Sequence, residues 1–252
     1  MTVLRDSCAL PAPPTDLLRG ASLFLDFDGT LVTIAARPDA VRVERRVRTL
    51  LALLHEKLDG RLAIISGRAA GNITALLELP IVVAGSHGAE LAWPDRAIAT
   101  AASQPLDAAA KTQLQELAAR HPGLLIEYKP LGVALHFRQA PEAQAACREA
   151  AARIAARTGL VVQPGKMVIE LRTGGVDKGT ALAALMEQAP LLAGRPIFIG
   201  DDDTDEAGFR MARDKGGAGI LVGEDRPTAA AWRLADVPQT LAWLEDAAGT
   251  LS

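Results

Sequence analysis

Apolar and polar positions along the chain follow two rhythms. Short apolar runs bounded by glycine or polar residues mark buried strands, and longer stretches with apolar residues every three or four positions mark helices. The runs at 22–27, 62–65 and 81–84 are of the first kind. Between them, 39–58 places Val43, Val47, Leu50, Leu51 and Leu54 on one helical face, with Arg42, Arg45, Arg46 and Arg48 on its solvated side, and a second helix is predicted at about 70–78. Strand, helix, strand, helix, strand is the signature of a parallel sheet with crossover helices.

The rhythm changes after about residue 93. A helix is predicted at 105–120, then strands at 124–128 and 133–138 joined through Pro130-Leu131-Gly132. A helix at 141–157, stopped by Gly159, leads to strands at 160–163 and 167–172 that turn at Pro164-Gly165. Hairpins imply antiparallel pairing, so this helix-hairpin-helix-hairpin unit is an α+β insert with a weak internal duplication. The parallel rhythm then resumes with a helix at 177–188, a strand at 196–199, a helix at 205–213, a strand at 218–222 and a terminal helix at 238–247. The predicted architecture is a Rossmann-like α/β core (21–99 and 173–252) interrupted by an α+β domain (100–172). It is preceded by a flexible arm (1–20) punctuated by Pro11, Pro13 and Pro14. Met167, Met186, Met211 and the three tryptophans are read as packing residues.

A chain of 252 residues, 49% of them hydrophobic, can bury a sizeable core. A net charge of −3 gives no reason to expect nucleic acid or an acidic membrane surface as partner. Cys8 and Cys147 form neither a disulfide framework nor a metal spacing. No apolar run is long enough to span a bilayer, and Asp6 with the prolines interrupts any signal-peptide core. A cytoplasmic monomer is expected.

The chemistry gathers at strand ends. Asp26 and Asp28 close the first run, Ser66 the second, His87 the third, and Asp201, Asp202 and Asp205 follow the strand at 196–199. In a parallel sheet these ends share one edge, where α/β folds bind ligands. So many carboxylates in one crevice require a counter-charge, and hard oxygen ligands suit Mg²⁺. Gly29 lets the chain leave the strand sharply. Lys178 opens a helix, where its charge opposes the dipole, and that fits a functional lysine. Plainer readings stand beside these. Ser66 or Asp205 could cap a helix, Arg68 could pair with a surface carboxylate, His87 could serve a turn, and His136 could be structural.

Asp-Phe-Asp-Gly-Thr-Leu (26–31), Ser66, Lys178 and Gly-Asp-Asp-Asp-Thr-Asp-Glu (200–206), in this order, resemble the haloacid dehalogenase superfamily of phosphatases. Longer strings resemble its trehalose-6-phosphate phosphatase family: Ile-Ser-Gly-Arg (65–68), Ala-Gly-Ser-His-Gly-Ala-Glu (84–90) and Lys-Pro-Leu-Gly-Val-Ala-Leu-His-Phe-Arg (129–138). So do Gly-Lys-Met-Val-Ile-Glu-Leu-Arg (165–172) and Val-Asp-Lys-Gly (176–179). The match spans roughly 22–210, with Thr173 standing where the family has proline.

The resemblance implies Mg²⁺-dependent hydrolysis of trehalose 6-phosphate through an aspartyl-phosphate. Asp26 would be the nucleophile, Asp28 the acid and base, and Ser66 and Lys178 the phosphoryl holders. Asp26, the backbone carbonyl of Asp28 and Asp201 would hold the metal, with Asp202 and Asp205 behind it. The insert would be a cap whose Lys129, His136, Arg138, Lys166 and Glu170, with Arg68 and His87 of the core, contact the substrate. Cap and core join at 94–104 and 172–176, where Gly174 and Gly175 suit a hinge. A sibling phosphatase for sucrose phosphate or glucosylglycerol phosphate, a phosphotransferring mutase and a catalytically idle sugar-phosphate sensor stay open as alternatives.

Overall fold

The computed structural model describes residues 10–35, 37, 40–100, 106–129, 132–172 and 174–251. Its first half contains β1 (Ala21–Leu25), α1 (Arg45–Lys57), β2 (Leu62–Ile65), α2 (Ala70–Leu77), β3 (Val82–Gly85), β4 (Glu90–Ala92) and β5 (Ala99–Thr100). Then come α3 (Ala108–Arg120), β6 (Leu125–Lys129), β7 (Gly132–His136), α4 (Gln144–Thr158), β8 (Val161–Gly165) and β9 (Val168–Arg172). The last part holds α5 (Lys178–Leu185), β10 (Arg195–Gly200), α6 (Glu206–Asp214), β11 (Ala218–Val222), β12 (Trp232–Leu234) and α7 (Val237–Thr250).

An eight-stranded sheet runs β12-β11-β10-β1-β2-β3-β4-β5. It is parallel from β12 to β3, and β4 and β5 continue it antiparallel. Alternation along β1 sends Leu23 and Leu25 to one face, where they pack with Val47, Leu50, Leu51 and Leu54 of α1 and Leu244 of α7. Phe24 faces the other way, into a core with Leu182 and Leu185 of α5, Phe198 of β10 and Phe209 of α6. The sheet is therefore covered by helices on both faces, which explains why its strands are continuously apolar. Phe198 and Phe209 meet edge to face, with ring centroids 5.6 Å apart.

The register sets the site. Leu25 of β1 pairs with Ile199 of β10 and Ile64 of β2, and Ile65 pairs with Ala84 of β3. The strands end level, so Asp26, Ser66 and Asp201 leave the sheet side by side.

A second, antiparallel sheet has the order β6-β7-β9-β8. Val133, Leu135, Ile169 and Leu171 on one of its faces bury against Leu114 and Leu117 of α3 and Cys147, Ala150 and Ile154 of α4. This core is separate from the two that flank the large sheet. Cys147 is wholly buried, its thiol pushed up to about 11 by burial, so it is a packing residue. Cys8 and Thr173 lie outside the described residues.

Several expectations are corrected. The first helix starts at Arg45, not 39, because Val41 and Val43 are buried while Arg42 and Glu44 are exposed. That period of two belongs to extended chain. The second hairpin turns at Lys166 and Met167, not at Pro164-Gly165. Met167 takes φ 64°, and Pro164 sits in β8, an edge strand that tolerates its missing N–H. Strands β4, β5 and β12 were too short to announce themselves. Residues 10–20 are not a loose arm: Leu17 and Leu18 are buried in a 3₁₀ turn, and Trp243 Nε1 donates to Pro13 O at 2.9 Å. Residues 1–9 lie outside the described residues. Among those described, no helix is long and apolar enough to cross a membrane.

The α7 helix that holds this segment is capped by Asp236, whose Oδ1 accepts Gln239 N at 2.9 Å. Asp236→Ala should cost about 1 kcal/mol, read as a lower urea midpoint at unchanged slope; an unmoved midpoint would show that the cap contributes nothing.

Candidate active site

The level ends of β1, β2 and β10 build the floor. Asp26, just past β1, is 4% exposed, and its backbone N–H donates to Ile199 O at 2.9 Å. Lys178, the first residue of α5 and 2% exposed, reaches Asp26 Oδ1 at 2.9 Å and Asp205 Oδ1 at 2.6 Å. Asp205 is wholly buried, and its Oδ2 accepts the N–H groups of Asp201 and Asp202 at 3.0 and 2.9 Å. The helix at Lys178 can begin there because Asp177 and Thr180 form a reciprocal capping box.

Burial raises the Asp26 carboxyl well above its ordinary value; Lys178 opposes the shift, and the charges of Asp205 and Asp201 add to it. Asp201 is pushed up to about 7, chiefly by burial and then by Asp205. For Lys178, burial favours the neutral amine but is outweighed by Asp205 and Asp26, which hold the ammonium above its usual range.

Oxygens of Asp26, Asp201 and Asp205 lie within 4.8 Å of one another. Asp205 is already engaged by Lys178 and two backbone amides. Asp201 Oδ1 is buried and, among the described residues, has no hydrogen-bond partner. Gly29 closes the other side at φ 86°, where a Cβ would stand 2.2 Å from Asp201 Oδ2. A buried, unsatisfied carboxylate oxygen beside a second carboxylate is a donor set that fits a hard divalent cation.

The walls come from two loops and the small sheet. Ser66 is buried, and its Oγ accepts Arg68 N at 3.2 Å; it does not cap α2, whose Ala70 N donates instead to Glu90 Oε2 at 2.8 Å. Arg68 turns back over the Phe27 ring at 5.7 Å and grips Asp28 with two bonds, Nε to Oδ2 at 2.5 Å and Nη2 to Oδ1 at 2.8 Å. Across the small sheet, Glu127, Ala134, Glu170 and Gln163 form one row by register. Lys129, His136 and Arg172 share that face, opposite the one packed on α3 and α4.

The row meets the large sheet's loops through charge. Glu170 accepts from Lys129 Nζ at 2.5 Å and lies 2.7 Å from His87 Nε2, while Lys129 Nζ also donates to Gly67 O at 2.8 Å. Burial disfavours the Glu170 carboxylate but is outweighed by Lys129 and His87, which hold it below the usual range. His87 sits at φ 57° in the turn after β3, so it serves both the turn and the contact. Gly67 fits this seam because a Cβ there would lie 2.8 Å from the His87 ring.

One cavity of about 230 Å³ gathers these groups: Asp26, Asp28, Ser66, Arg68, His87, Lys129, His136, Arg138, Lys166, Glu170, Lys178, Asp201 and Asp202 all line it. Asp205 stands behind the floor. Lys166 lies in the turn between β8 and β9 and reaches the same space. Glu127, 2.8 Å from His136 Nε2, and Gln163 were missed; Glu127 shares strand parity with Lys129, a signal that could have found it, whereas Gln163 reaches the row only through its pairing with Glu170.

The site is thus an acidic floor at the carboxyl ends of a parallel sheet, facing a separate polar sheet. The fold is shared with the C-terminal domain of C. albicans trehalose-6-phosphate phosphatase (TM-score 0.81, 23% identity, covering 97% of this chain and 99% of that one). It is also shared with a Bacteroides thetaiotaomicron protein described among the phosphatases of the haloalkanoate (HAD) enzyme superfamily (TM-score 0.57, 16% identity, 94% and 97%). Residues 24–238 match the trehalose-phosphatase family model. The trehalose-6-phosphate phosphatase of Escherichia coli (strain K12) is 40% identical over 227 residues, 88% of this chain and 84% of that protein. The chain belongs to the trehalose-phosphatase family.

Lys178→Ala should destabilise the fold by about 3–5 kcal/mol, because Asp26 and Asp205 lose their buried partner. Chemical denaturation checks this, and an unchanged midpoint would mean that the lysine does not hold the floor together.

Proposed function

We propose that this chain hydrolyses trehalose 6-phosphate to trehalose and inorganic phosphate. The observation that carries the reading is the meeting, in one cavity, of buried carboxylates beside a lysine with the polar face of the small sheet. The first suits phosphoryl transfer and the second a hydroxyl-rich sugar.

In this reading Asp26 attacks phosphorus. The Asp26 O–P bond forms as the P–O bond to the sugar breaks, and Asp28 gives the sugar oxygen its proton. Asp28 then takes a proton from water as that water's oxygen bonds to phosphorus and Asp26 is released. Ser66 and Lys178 hold the phosphoryl oxygens, where charge develops. Arg68 grips both Asp28 oxygens and so fixes the orientation of that carboxyl in the cavity.

Asp26 and Asp201, with the backbone carbonyl of Asp28, would hold a Mg²⁺ ion at the floor. When bound, it supplies positive charge that offsets the repulsion between a phosphate dianion and the nucleophile. Asp205 orients this set through Lys178 and the amides of Asp201 and Asp202, with Asp202 beside it.

Residues 100–172 serve as the cap on a core of 21–99 and 173–252. Lys129, His136, Arg138, Lys166 and Glu170, with His87 and Arg68 from the core, bind the sugar hydroxyls. A site whose polar groups are matched to a disaccharide disfavours sugars that leave those groups unpaired. Closure at 94–104 and 172–176 would exclude water; residues 101–105 and 173 lie outside the described residues.

Phosphate release across a panel should be highest from trehalose 6-phosphate and lost in Asp26→Asn; comparable turnover of glucose 6-phosphate, sucrose phosphate or glucosylglycerol phosphate would overturn the substrate assignment. Thorough chelation should abolish phosphate release and added Mg²⁺ restore it. Full activity after chelation would remove the cation from the reaction.

A further inference from the structure

The loop after β10 carries Asp201, Asp202, Asp203, Asp205 and Glu206, five carboxyl groups in six consecutive positions. Like charges so close push a loop apart unless something holds it. Lys178 holds it from inside, through Asp205. On the outside stands Arg226, in the segment between β11 and β12, which neither the motifs nor the chemistry above employs.

The Arg226 guanidinium spans the loop. Its Nη1 donates to Glu206 Oε1 at 2.7 Å, its Nη2 donates to the backbone O of Asp202 at 3.0 Å, and Nη1 stands 3.4 Å from Asp203 Oδ1. Glu206 is the first residue of α6, and its carboxylate is filled by further donors: Thr228 Oγ1 to Oε1 at 2.7 Å and Ala229 N to Oε2 at 2.9 Å. The Glu206 side chain is 14% exposed and that of Arg226 24%. One planar fork thus ties the carbonyl of Asp202, before the 3₁₀ turn at Asp203–Asp205, to the carboxylate that follows it. Within that turn Asp205 directs its carboxylate back to Asp201 N, Asp202 N and Lys178. A lysine ammonium cannot bridge a carbonyl and a carboxylate with the same rigid pair of donors.

We infer that Arg226 is a positioning residue for the acidic loop: by clamping both sides of the turn it fixes where Asp201 presents its oxygens to the cation and where Asp205, behind it, holds the loop. The inference rests on the divalent-cation reading of the floor. Charge and geometry make opposite predictions here. A cation near a metal site repels the metal, so deleting Arg226 for its charge alone would tighten binding. Deleting it as a clamp loosens the ligand set, and partners behind a metal's ligands commonly matter by roughly 10-fold or more.

The test is calorimetric titration of magnesium alone into the full chain and into Arg226→Ala, Arg226→Lys and Glu206→Ala, each checked for a cooperative melt. The wild type should bind magnesium. Arg226→Ala and Glu206→Ala should bind it roughly 10-fold more weakly. Arg226→Lys should be weakened as well, because it keeps the charge and loses the fork. In phosphate release, the magnesium concentration for half-activation should rise more than the KM for the sugar phosphate. A wild type that does not bind magnesium overturns the cation reading. A wild type that binds, with Arg226→Ala unchanged or tighter, or with Arg226→Lys fully restored, overturns the clamp. If Arg226→Ala fails to fold, Arg226→Lys and Glu206→Ala decide by the same criteria.

Discussion

Lys178 lies between Asp26 and Asp205, with its ammonium within 2.9 Å of one and 2.6 Å of the other, and all three side chains are nearly sealed from water. Two carboxylates cannot stay charged side by side in such a place without a cation, and a lone lysine could not stay charged there either. Each charge is tolerable because of the others. The strand register that brings β1 and β10 level, the capping box that starts α5 at Lys178 and the Asp203–Asp205 turn all serve to put three charges at one point. The buried oxygen of Asp201 then stands beside this triad, at the edge of what the protein's own donors satisfy.

Where the large sheet presents carboxylates, the small sheet presents a mixed polar face. The two meet through the Lys129, Glu170 and His87 contacts rather than through a shared apolar core. Charged contacts across a seam are directional and responsive to solvent and to competing ligands. A hydroxyl-rich ligand entering the cavity would compete for the same donors and acceptors. Local strain gathers there too. Ser86 and His87 both hold positive φ, at 49° and 57°. Ser86 N donates to Arg68 O at 2.7 Å and His87 N to Ser66 O at 2.9 Å, so the two loops are tied together.

Much of this was legible beforehand. The alternation of apolar runs and helical periods specified the parallel core, the antiparallel insert and their order. Asp26, Asp28, Ser66 and Asp201 were identifiable because parallel strands end on one edge, whatever lies between them, and Lys178 because it opens a helix against the dipole. Boundaries were less secure. Val41 and Val43 fit a helical face as readily as an extended one, and Pro164-Gly165 looks like a turn to any local rule. Both were decided by neighbours: the core beneath Val41 and Val43, and the free edge that lets Pro164 remain in a strand.

What the chain determined alone was therefore its local grammar, since propensity, periodicity and turn chemistry act over a few residues: which segments are strands, which are helices, and which acidic residues sit at strand ends. Only the tertiary structure decided pairings between residues far apart in sequence. That Arg68 grips Asp28, that Glu170 draws Lys129 and His87 together, that Glu127 faces His136 and that Arg226 clasps Asp202 and Glu206 depend on register and on packing between sheets. Such contacts leave no periodic trace, because a side chain's partner is set by three-dimensional distance and the backbone between them is free to wander.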